Sequence, residues 1–406
     1  MMTMTFRYLA GLLALSCFNH ALANDWPNYR GPHHDGISRE SDWSTDWEDA
    51  SPPVLWSHEC GIGFSSIVVA HGRVLTMGNR DGKDQVVCID EKTGKSLWNH
   101  SYSSDLKPYL YEGGPGSTPT IDTDKVYTLS RWGDLFCLSL EDGKVVWQRQ
   151  IQEKDEVRIP DWGLNGSCLV HGDTLIINAR ASGMAFNKDS GQLLWTSDDG
   201  EAGYSSPAPV SIGGEPQVII SSGDAYSGID PASGQILWQI PWFTRYGVNA
   251  ASPIVTDKRV FVSSGYSKGA ALYEVQGTEA DLIWKNRKYR NQINSSVLVD
   301  GHLYGFDGDN NSRAKFKCVA FETGKDLWET EEVSFGSLIG AGDLLLILSE
   351  EGNLLTLRPS PEKFEVLHQS KILDGRCWAT PVLANGRLYA RNADGKLVCL
   401  DARAGR

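Results

Sequence analysis

The stretch "CIDEKTGKSLW" at residues 88–98 decides the fold, because nearly the same phrase returns four more times along the chain. In each copy a Gly stands four residues before a Trp, and a polar turn separates two apolar runs. The other copies are "CLSLEDGKVVW" (137–147), "AFNKDSGQLLW" (185–195), "GIDPASGQILW" (228–238) and "CVAFETGKDLW" (318–328). A repeat of about 45 residues indicates a propeller, a solenoid or a similar array.

Each repeat unit reads as four short strands, which we label A to D from the lead-in strand. A lead-in strand such as "GSTPTI" (116–121) is followed by a hairpin such as "TDKVYTL" (123–129) and then by the polar turn before the Trp. A degenerate eighth copy falls near Leu367. Eight such units predict an all-β, eight-bladed β-propeller with four antiparallel strands per blade.

The two ends of the chain predict that the ring is closed. The final "KLVCLDARAGR" (396–406) supplies a third strand and its turn, but stops before any Trp. The early "PPVLWSH" (52–58) has a Trp without a preceding turn. We expect this N-terminal strand to complete the C-terminal blade, which would hide two strand edges.

The conserved spacing inside the repeat has a structural interpretation. The Gly allows a tight turn between strands C and D, and the Trp that follows lies flat on the neighbouring blade with its N–H bonded to a carbonyl. We therefore interpret these residues as docking tryptophans that stabilise the ring. They are Trp56, Trp98, Trp147, Trp195, Trp238, Trp284 and Trp328.

The N-terminus predicts export. Residues 1–23 contain one cation, Arg7, an apolar run and the small-residue site Ala21-Leu22-Ala23, which together are typical of a secretory signal peptide. We expect cleavage near Ala23 and a secreted or periplasmic protein, with lipidation at Cys17 as the alternative. The remainder divides into a lead segment (24–51) and a single propeller domain (52–406), and no other segment approaches membrane-spanning length.

Charge and cysteine content narrow the class of partner. The net charge of −13 disfavours nucleic acid, whose phosphates such a surface repels, and we expect a monomer. One repeat position carries a small residue in every clear copy and is predicted to be buried; it is occupied by Cys88, Cys137, Ala185, Gly228, Cys318 and Cys399. The cysteines left over are Cys60, Cys168 and Cys377, for which a Cys60–Cys377 disulfide remains open.

The repeated phrase resembles the tryptophan-docking motif of the pyrroloquinoline-quinone (PQQ)-like repeat family, and the lead "DWPNYRGPHHDGISRE" (25–40) is similar to that of secreted members. The resemblance covers essentially the whole mature chain. It implies either a quinoprotein dehydrogenase, which holds PQQ and calcium at the top of the ring, or a non-catalytic propeller of the outer-membrane β-barrel assembly machine. The sequence lacks a Cys-Cys pair, a C-x-x-C-H haem site and large inter-blade insertions, and its length is closer to the second class.

The D-to-A and B-to-C loops of a propeller open on one face, which we call the top face, and here they are rich in Arg, Trp, Tyr and Asn. This mixture suits a planar or carboxylate-bearing ligand. The alternative is that the loops are simply polar and that two of the Trp residues plug a narrow channel. The candidate ligand-binding residues are Arg131, Trp132, Trp162, Asn165, Arg180, Tyr204, Tyr246, Asn249, Tyr266, Arg290, Asn294, Asp307, Trp378 and Arg391.

Metal and catalytic motifs are weak. In "DGDNN" (307–311), Asp307, Asp309 and Asn311 alternate as at the start of a calcium loop, but Ser312 and Cys318 replace its Gly and Glu. A hydrophilic turn explains this stretch equally well. No strained nucleophile turn or pair of carboxylates points to a catalytic group, so none is assigned.

Two functions therefore remain open. The leading hypothesis is a secreted or periplasmic binding or scaffold protein whose top face takes a small anionic ligand, a glycan or an envelope protein. The alternative, implied by the resemblance, is a small PQQ-dependent oxidoreductase acting on an alcohol or sugar. In that case Trp132, Trp162 or Trp378 would stack on the quinone, and an Arg at 131, 180 or 391 would pair its carboxylates. Asp307 or Asp161 would then act as base or calcium ligand.

Overall fold

A computed structural model describes residues 24–41, 43–45, 47, 51–109, 111–308 and 314–403. The predicted signal peptide and Cys17 lie outside these residues, as do Asp309 and Asn311. Eight antiparallel sheets of four strands form the molecule, and one of them gains a fifth strand from the lead segment. The predicted eight-bladed propeller is confirmed.

Two strands precede the first complete blade, namely β1 (Ile37–Ser38) and β2 (Val54–Glu59). Blade 1 contains β3 (Val68–Ala70), β4 (Arg73–Arg80), β5 (Lys83–Asp90) and β6 (Ser96–Ser103). Blade 2 contains β7 (Thr120–Asp122), β8 (Lys125–Leu129), β9 (Asp134–Ser139) and β10 (Val145–Gln150). Blade 3 contains β11 (Leu169–His171), β12 (Thr174–Ile177), β13 (Met184–Asn187) and β14 (Leu193–Thr196). Blade 4 contains β15 (Ala208–Ile212), β16 (Glu215–Ser221), β17 (Ala225–Ile229) and β18 (Ile236–Pro241).

Blade 5 contains β19 (Ile254–Thr256), β20 (Arg259–Ser264), β21 (Gly269–Gln276) and β22 (Glu279–Asn286). Blade 6 contains β23 (Val297–Val299), β24 (His302–Asp307), β25 (Lys315–Ala320) and β26 (Asp326–Thr330). Blade 7 contains β27 (Gly336–Ala341), β28 (Leu344–Ser349), β29 (Asn353–Leu357) and β30 (Val366–Lys371). Blade 8 contains β31 (Val382–Ala384), β32 (Arg387–Arg391) and β33 (Lys396–Asp401). The described helices are a single turn, α1 (Ile151–Lys154), and a 3-10 turn, Arg245–Gly247.

The N-terminal strand closes the ring. Strand β2 pairs antiparallel with β33, with Trp56 opposite Cys399 and Ser57 opposite Val398, so it is the D strand of blade 8. First strands of neighbouring blades contact each other, which places the A strands at the centre. The B and C strands are almost wholly buried because blades cover both of their faces, whereas the outermost strands alternate between exposed and buried side chains.

The docking indoles join consecutive blades. Six of the seven donate their N–H to a backbone carbonyl in the C-to-D turn of the next blade, at 2.8–3.1 Å. At Gly143, for example, φ is 72° and a Cβ would lie 2.5 Å from the Trp98 ring. The repeat therefore needs glycine at this one position for two reasons. The turn is left-handed, and the indole packs where a side chain would lie.

Blade 4 departs from this arrangement. The Trp238 indole donates to Gln217 Oε1 of its own blade at 2.7 Å, and a Cβ on Gly228 would lie 2.1 Å from that ring. The next blade has only a tight β21–β22 hairpin where the others have the polar turn, so no comparable platform faces Trp238. This packing explains why Gly228 stands where other copies have Cys or Ala.

Hydroxyl groups at the entrance of the A strands also link blades. Ser66 N donates to Thr118 Oγ1 at 3.0 Å, Thr118 N to Ser167 Oγ at 2.9 Å, and Ser167 N to Ser206 Oγ at 2.9 Å. These bonds run around the ring from blade to blade and satisfy buried backbone donors. They give a structural reason for the Ser and Thr residues that recur at the start of the lead-in strands.

The lead segment fills the centre of the ring. Trp26 exchanges two backbone hydrogen bonds with Val69 of β3, at 2.7 and 2.8 Å, and the Pro27 carbonyl accepts from Ile121 of β7. The buried Arg30 guanidinium donates to Ser296 O beside blade 6 at 3.0 Å. Strand β1 then adds parallel to β27 of blade 7. A segment predicted only to be extended thus contacts the inner strands of several blades.

All seven cysteines of the described residues are free thiols and buried. Burial raises the pKa of the Cys88, Cys137 and Cys399 thiols to about 12, so at neutral pH they are protonated and unreactive. Cys60 and Cys377 form no disulfide with each other.

Candidate functional site

A cup of about 480 Å³ opens at the centre of the top face. Loops from seven of the eight D-to-A connections contribute to it, and Tyr29 of the lead segment underlies it. The aromatic residues of its lining are Tyr29, Phe64, Tyr111, Trp162, Tyr204, Tyr266 and Trp378. The hydroxyl and amide residues are Ser66, Thr118, Asn165, Ser167, Ser206, Gln292, Asn294 and Thr380.

One wall of the cup is a chain of edge-to-face aromatic contacts. The ring of Trp162 lies 6.0 Å from Tyr204 and 6.1 Å from Tyr246, and Tyr246 lies 5.6 Å from Tyr266. These T-shaped contacts fix the rings that border the cavity. Burial raises the pKa of the Tyr204 phenol, which therefore stays neutral at physiological pH.

Trp378 forms the facing wall. Its indole N–H donates to Glu350 Oε1 at 3.0 Å, and its ring lies 5.1 Å from Phe64. The Arg376 guanidinium covers the ring at 4.6 Å from its centroid. Trp378 is thus held by contacts from two other loops and borders the cup.

Ion pairs reinforce the rim beside Trp378. Arg376 contacts Glu112 Oε2 at 2.8 Å and Glu350 Oε1 at 3.4 Å. It therefore joins the loop before blade 8 to the loop after blade 1 and to the B-to-C turn of blade 7. Burial raises the pKa of the Glu350 carboxyl, although the Trp378 N–H and the Arg376 guanidinium act in the opposite direction. Ionisation of Glu350 is therefore less favourable in the folded protein than in the unfolded chain.

This raised pKa predicts a pH-dependent effect of Glu350→Gln. As pH rises past the unfolded pKa of about 4.3, the unfolded chain loses the Glu350 proton before the folded protein does, so wild-type stability falls. A glutamine does not ionise, so the variant does not lose stability in this way. Urea unfolding at several pH values between about 4 and 7 should show the variant gaining stability relative to wild type as pH rises.

Glu351 offers a control of opposite sign. Burial acts to raise its pKa, but hydrogen bonds from the Ser334 and Ser349 hydroxyls lower it overall. Glu351→Gln should therefore lose stability relative to wild type over the same rise in pH. If the two variants follow the same pH trend, burial does not govern Glu350.

No charged residue belongs to the lining of the cup, as far as the described residues extend. Its side chains are aromatic rings, hydroxyls, amides and a few aliphatic groups. The cup therefore offers stacking surface and neutral hydrogen bonds, with no fixed charge to pair with an anion.

Arg131 and Trp132 lie in a neighbouring cavity of about 490 Å³, which shares Tyr111 and Trp162 with the cup. The Arg131 guanidinium donates to Leu106 O at 3.1 Å and lies over the Tyr111 and Trp132 rings. Arg131 therefore lines the neighbouring cavity and is not part of the lining of the cup.

The structure thus divides the predicted site residues. Those that line the cup are Trp162, Asn165, Tyr204, Tyr266, Asn294 and Trp378. Tyr246 lies at the rim of the cup, and Arg131 and Trp132 line the neighbouring cavity. The lining of either cavity does not include Arg180, Asn249, Arg290, Asp307 or Arg391.

Arg391 has a purely internal position. Its side chain is 0% exposed, and its guanidinium donates to Met77 O, Thr76 Oγ1 and Gly61 O at 2.6–2.9 Å. These acceptors belong to the neighbouring blade and its entry loop. The expectation that Arg391 faces a top-face ligand does not fit this burial.

Asn249 is also an internal anchor. Its amide donates to Ser222 O and Trp242 O at 2.8 and 3.0 Å, and its Oδ1 accepts from the Ser264 hydroxyl at 2.8 Å. Arg180 is paired with Asp199 and donates to Asp155 O. Both side chains organise loops and do not reach the cup.

Asp307 is bonded to Arg290, whose Nε lies 2.8 Å from Asp307 Oδ1. This ion pair accounts for both residues without a metal ion. Asp309 and Asn311 lie outside the described residues, and within the described ranges no group of three or more His, Cys, Asp or Glu side chains could hold a metal.

The cup also contains residues that the sequence did not single out, including Tyr29, Phe64, Tyr111 and Gln292. Tyr111 and Gln292 stand in D-to-A loops that were recognised, so their loop position was an available signal. Tyr29 gave none, because its place depends on the lead segment entering the ring.

The residues of the cup do not fit PQQ with calcium. A quinone with several carboxylates needs cationic partners, and calcium needs oxygen ligands of which carboxylates are the usual members. The lining offers neither, while Asp307 is paired with Arg290 and Asp161 lies in the neighbouring cavity.

Comparison with known proteins assigns the family. Residues 83–330 match the family described as outer membrane protein assembly factor BamB. The chain belongs to the BamB family. BamB of Yersinia pestis is 24% identical over 375 residues, which cover 88% of this chain and 80% of that relative.

Solved structures confirm the fold of this BamB-family chain. BamB from Moraxella catarrhalis superposes with a TM-score of 0.62 at 15% identity, covering 88% of this chain and 99% of the other. A quinohemoprotein alcohol dehydrogenase from Comamonas testosteroni gives 0.66 at 13% identity, covering 94% and 81%. At such identities the likeness shows a shared propeller and does not transfer an activity.

In the described part of the chain, none of the helices combines the length and the apolar character that crossing a bilayer requires.

Proposed function

We propose that this BamB-family propeller is a binding scaffold of the cell envelope, which recruits a protein partner through its top-face loops. Relatives that match along most of the chain are named outer membrane protein assembly factors. The predicted signal peptide agrees with a periplasmic or secreted location. The uncharged cup gives no support to the quinoprotein alternative.

The observation that carries the proposal is a set of exposed aromatic side chains in the D-to-A loops. Tyr109 is 67% exposed, Phe243 70% and Tyr246 50%, and all three belong to D-to-A loops. Aromatic residues are enriched among the side chains that dominate the binding energy of protein interfaces. This face therefore has the character of a protein-binding surface.

The loop that carries Phe243 is held rigidly. Its neighbours Trp242 and Thr244 are buried, and the indole N–H of Trp242 donates to the Ser264 hydroxyl at 3.0 Å. Asn249 holds the Trp242 carbonyl from the far end of the loop. Phe243 is thus presented to solvent by a fixed backbone, which lowers the entropic cost of binding.

Photo-crosslinking from the top face tests the proposal. A photoreactive phenylalanine analogue at position 243 should form an adduct with one defined envelope protein in cells that express the chain. The same analogue at Ile236, an exposed residue of the outermost strand of blade 4, is the matched control. Equal adducts from both positions, or none from position 243, would contradict a top-face partner site.

A further inference from the structure

The cup in the middle of the top face has a chemistry different from that of its rim. The exposed loop aromatics face solvent, whereas the cup is an open concavity of about 480 Å³ whose lining includes Tyr29 of the lead segment. Its lining combines aromatic rings with neutral polar groups. A ligand there must be small, uncharged and able both to stack and to form many hydrogen bonds.

Gln292 supplies the most specific polar contact. Its side chain is 4% exposed and belongs to the lining of the cup, and its buried Oε1 has no hydrogen-bond partner among the described residues. A buried amide oxygen left without a donor is unfavourable, so a ligand hydroxyl that reaches it and donates to it strengthens binding.

The backbone beside Gln292 is fixed, so this acceptor is already in place. The preceding Asn291 donates from its backbone N–H to Ser263 Oγ at 2.9 Å and from its side chain to Phe306 O at 2.9 Å. The Ser296 hydroxyl donates to Asn291 Oδ1 at 2.9 Å. Three bonds thus hold the loop from which Gln292 reaches the cup.

We propose that the cup binds a short uncharged saccharide. Sugar rings present an apolar face to aromatic side chains and hydroxyl donors and acceptors to amides, which matches Trp162, Tyr204, Asn165 and Gln292. The cavity volume of about 480 Å³ lies within the range of pockets that hold small organic ligands. A charged quinone or a free peptide terminus would leave its charge unpaired in the lining.

This inference goes beyond the protein-scaffold function and stands apart from it. The saccharide site is inside the cup, and the crosslinking experiment probes the rim in the absence of sugar. Either result can fail while the other holds.

The test is a titration of the purified mature chain with two neutral probes, cellobiose and N,N′-diacetylchitobiose, followed by calorimetry and saturation-transfer NMR. We expect saturable binding of at least one probe below about 10 mM. Gln292→Leu should weaken it by roughly fivefold to tenfold, the value of one hydrogen bond of about 1 kcal/mol, and Trp162→Ala should weaken it further.

Gln152→Leu is the matched control, since Gln152 is an exposed glutamine of the neighbouring cavity and should leave affinity unchanged. Gln292→Asn, which shortens the same amide, serves if the leucine variant unfolds, and circular dichroism of each variant checks folding. No saturable binding of either probe would overturn the proposal. So would equal binding by Gln292→Leu, or preferential binding of a blocked aromatic tripeptide.

Discussion

Arg391→Met should lower the free energy of unfolding by about 3–5 kcal/mol, because it leaves several buried oxygen acceptors without their donor. The guanidinium donates to Met77 O, Thr76 Oγ1 and Gly61 O, all on the blade 1 side of the closing junction. Burial also lowers the pKa of Arg391, which shows how fully this charge is removed from water. Urea unfolding followed by circular dichroism measures the change.

Arg158→Met is the matched control for this prediction. Arg158 is an exposed top-face arginine whose contact with Glu201 is 3.4 Å long and solvent-accessible. Its removal should cost at most about 1 kcal/mol. If Arg391→Met unfolds at the same urea concentration as wild type, the guanidinium does not hold blades 8 and 1 together.

Arg391 shows why the site was harder to predict than the fold. In the sequence it resembles Arg131 and Arg180, since each stands at or just after the end of a B strand in its repeat. Whether such a side chain turns toward the mouth or between blades depends on carbonyls from another blade, here those of Gly61 and Met77. Repeat position identifies the loop but not the direction of the side chain.

The eight-bladed ring was predictable because each clear repeat contains the residues that form its own turn and dock it on the next blade. The Gly and Trp of one phrase act on neighbouring blades, and Gly143 receives the Trp98 indole of the preceding unit. The spacing of the repeats in the sequence therefore corresponds to the spacing of the blades in the structure. Strand β2 followed from the same logic, since "PPVLWSH" lacked only the turn that precedes other docking tryptophans.

The floor of the cup could not be predicted in this way. Tyr29 and Arg30 belong to a lead segment outside the repeats, and their contacts are with residues far along the chain, such as Ser296. Gln292 carries no motif, and its significance comes from its burial and its bordering cavity. Loop composition therefore predicted where the cup lies. That its lining carries no charge became clear only from the arrangement of the side chains.

Trp195→Ala should be as damaging as the loss of Arg391, costing about 3–5 kcal/mol as other large-to-small aromatic substitutions do. The indole donates to Pro231 O of blade 4 at 3.1 Å and packs on Gly234, where a Cβ would lie 2.5 Å from the ring. Its removal takes away a hydrogen bond and leaves a gap between blades 3 and 4. Leu194→Ala, at the exposed neighbour, should change stability by no more than about 0.5 kcal/mol.

A double-mutant cycle with Gly234→Ala separates inter-blade docking from a general loss of hydrophobic area. In wild type the new methyl must collide with the Trp195 ring and also strain a backbone with φ of 74°. In the Trp195→Ala background the collision disappears and only the backbone strain remains. The two substitutions should therefore cost less together than the sum of their separate effects, by roughly 0.5–3 kcal/mol. Strict additivity would mean that Trp195 does not pack on this turn.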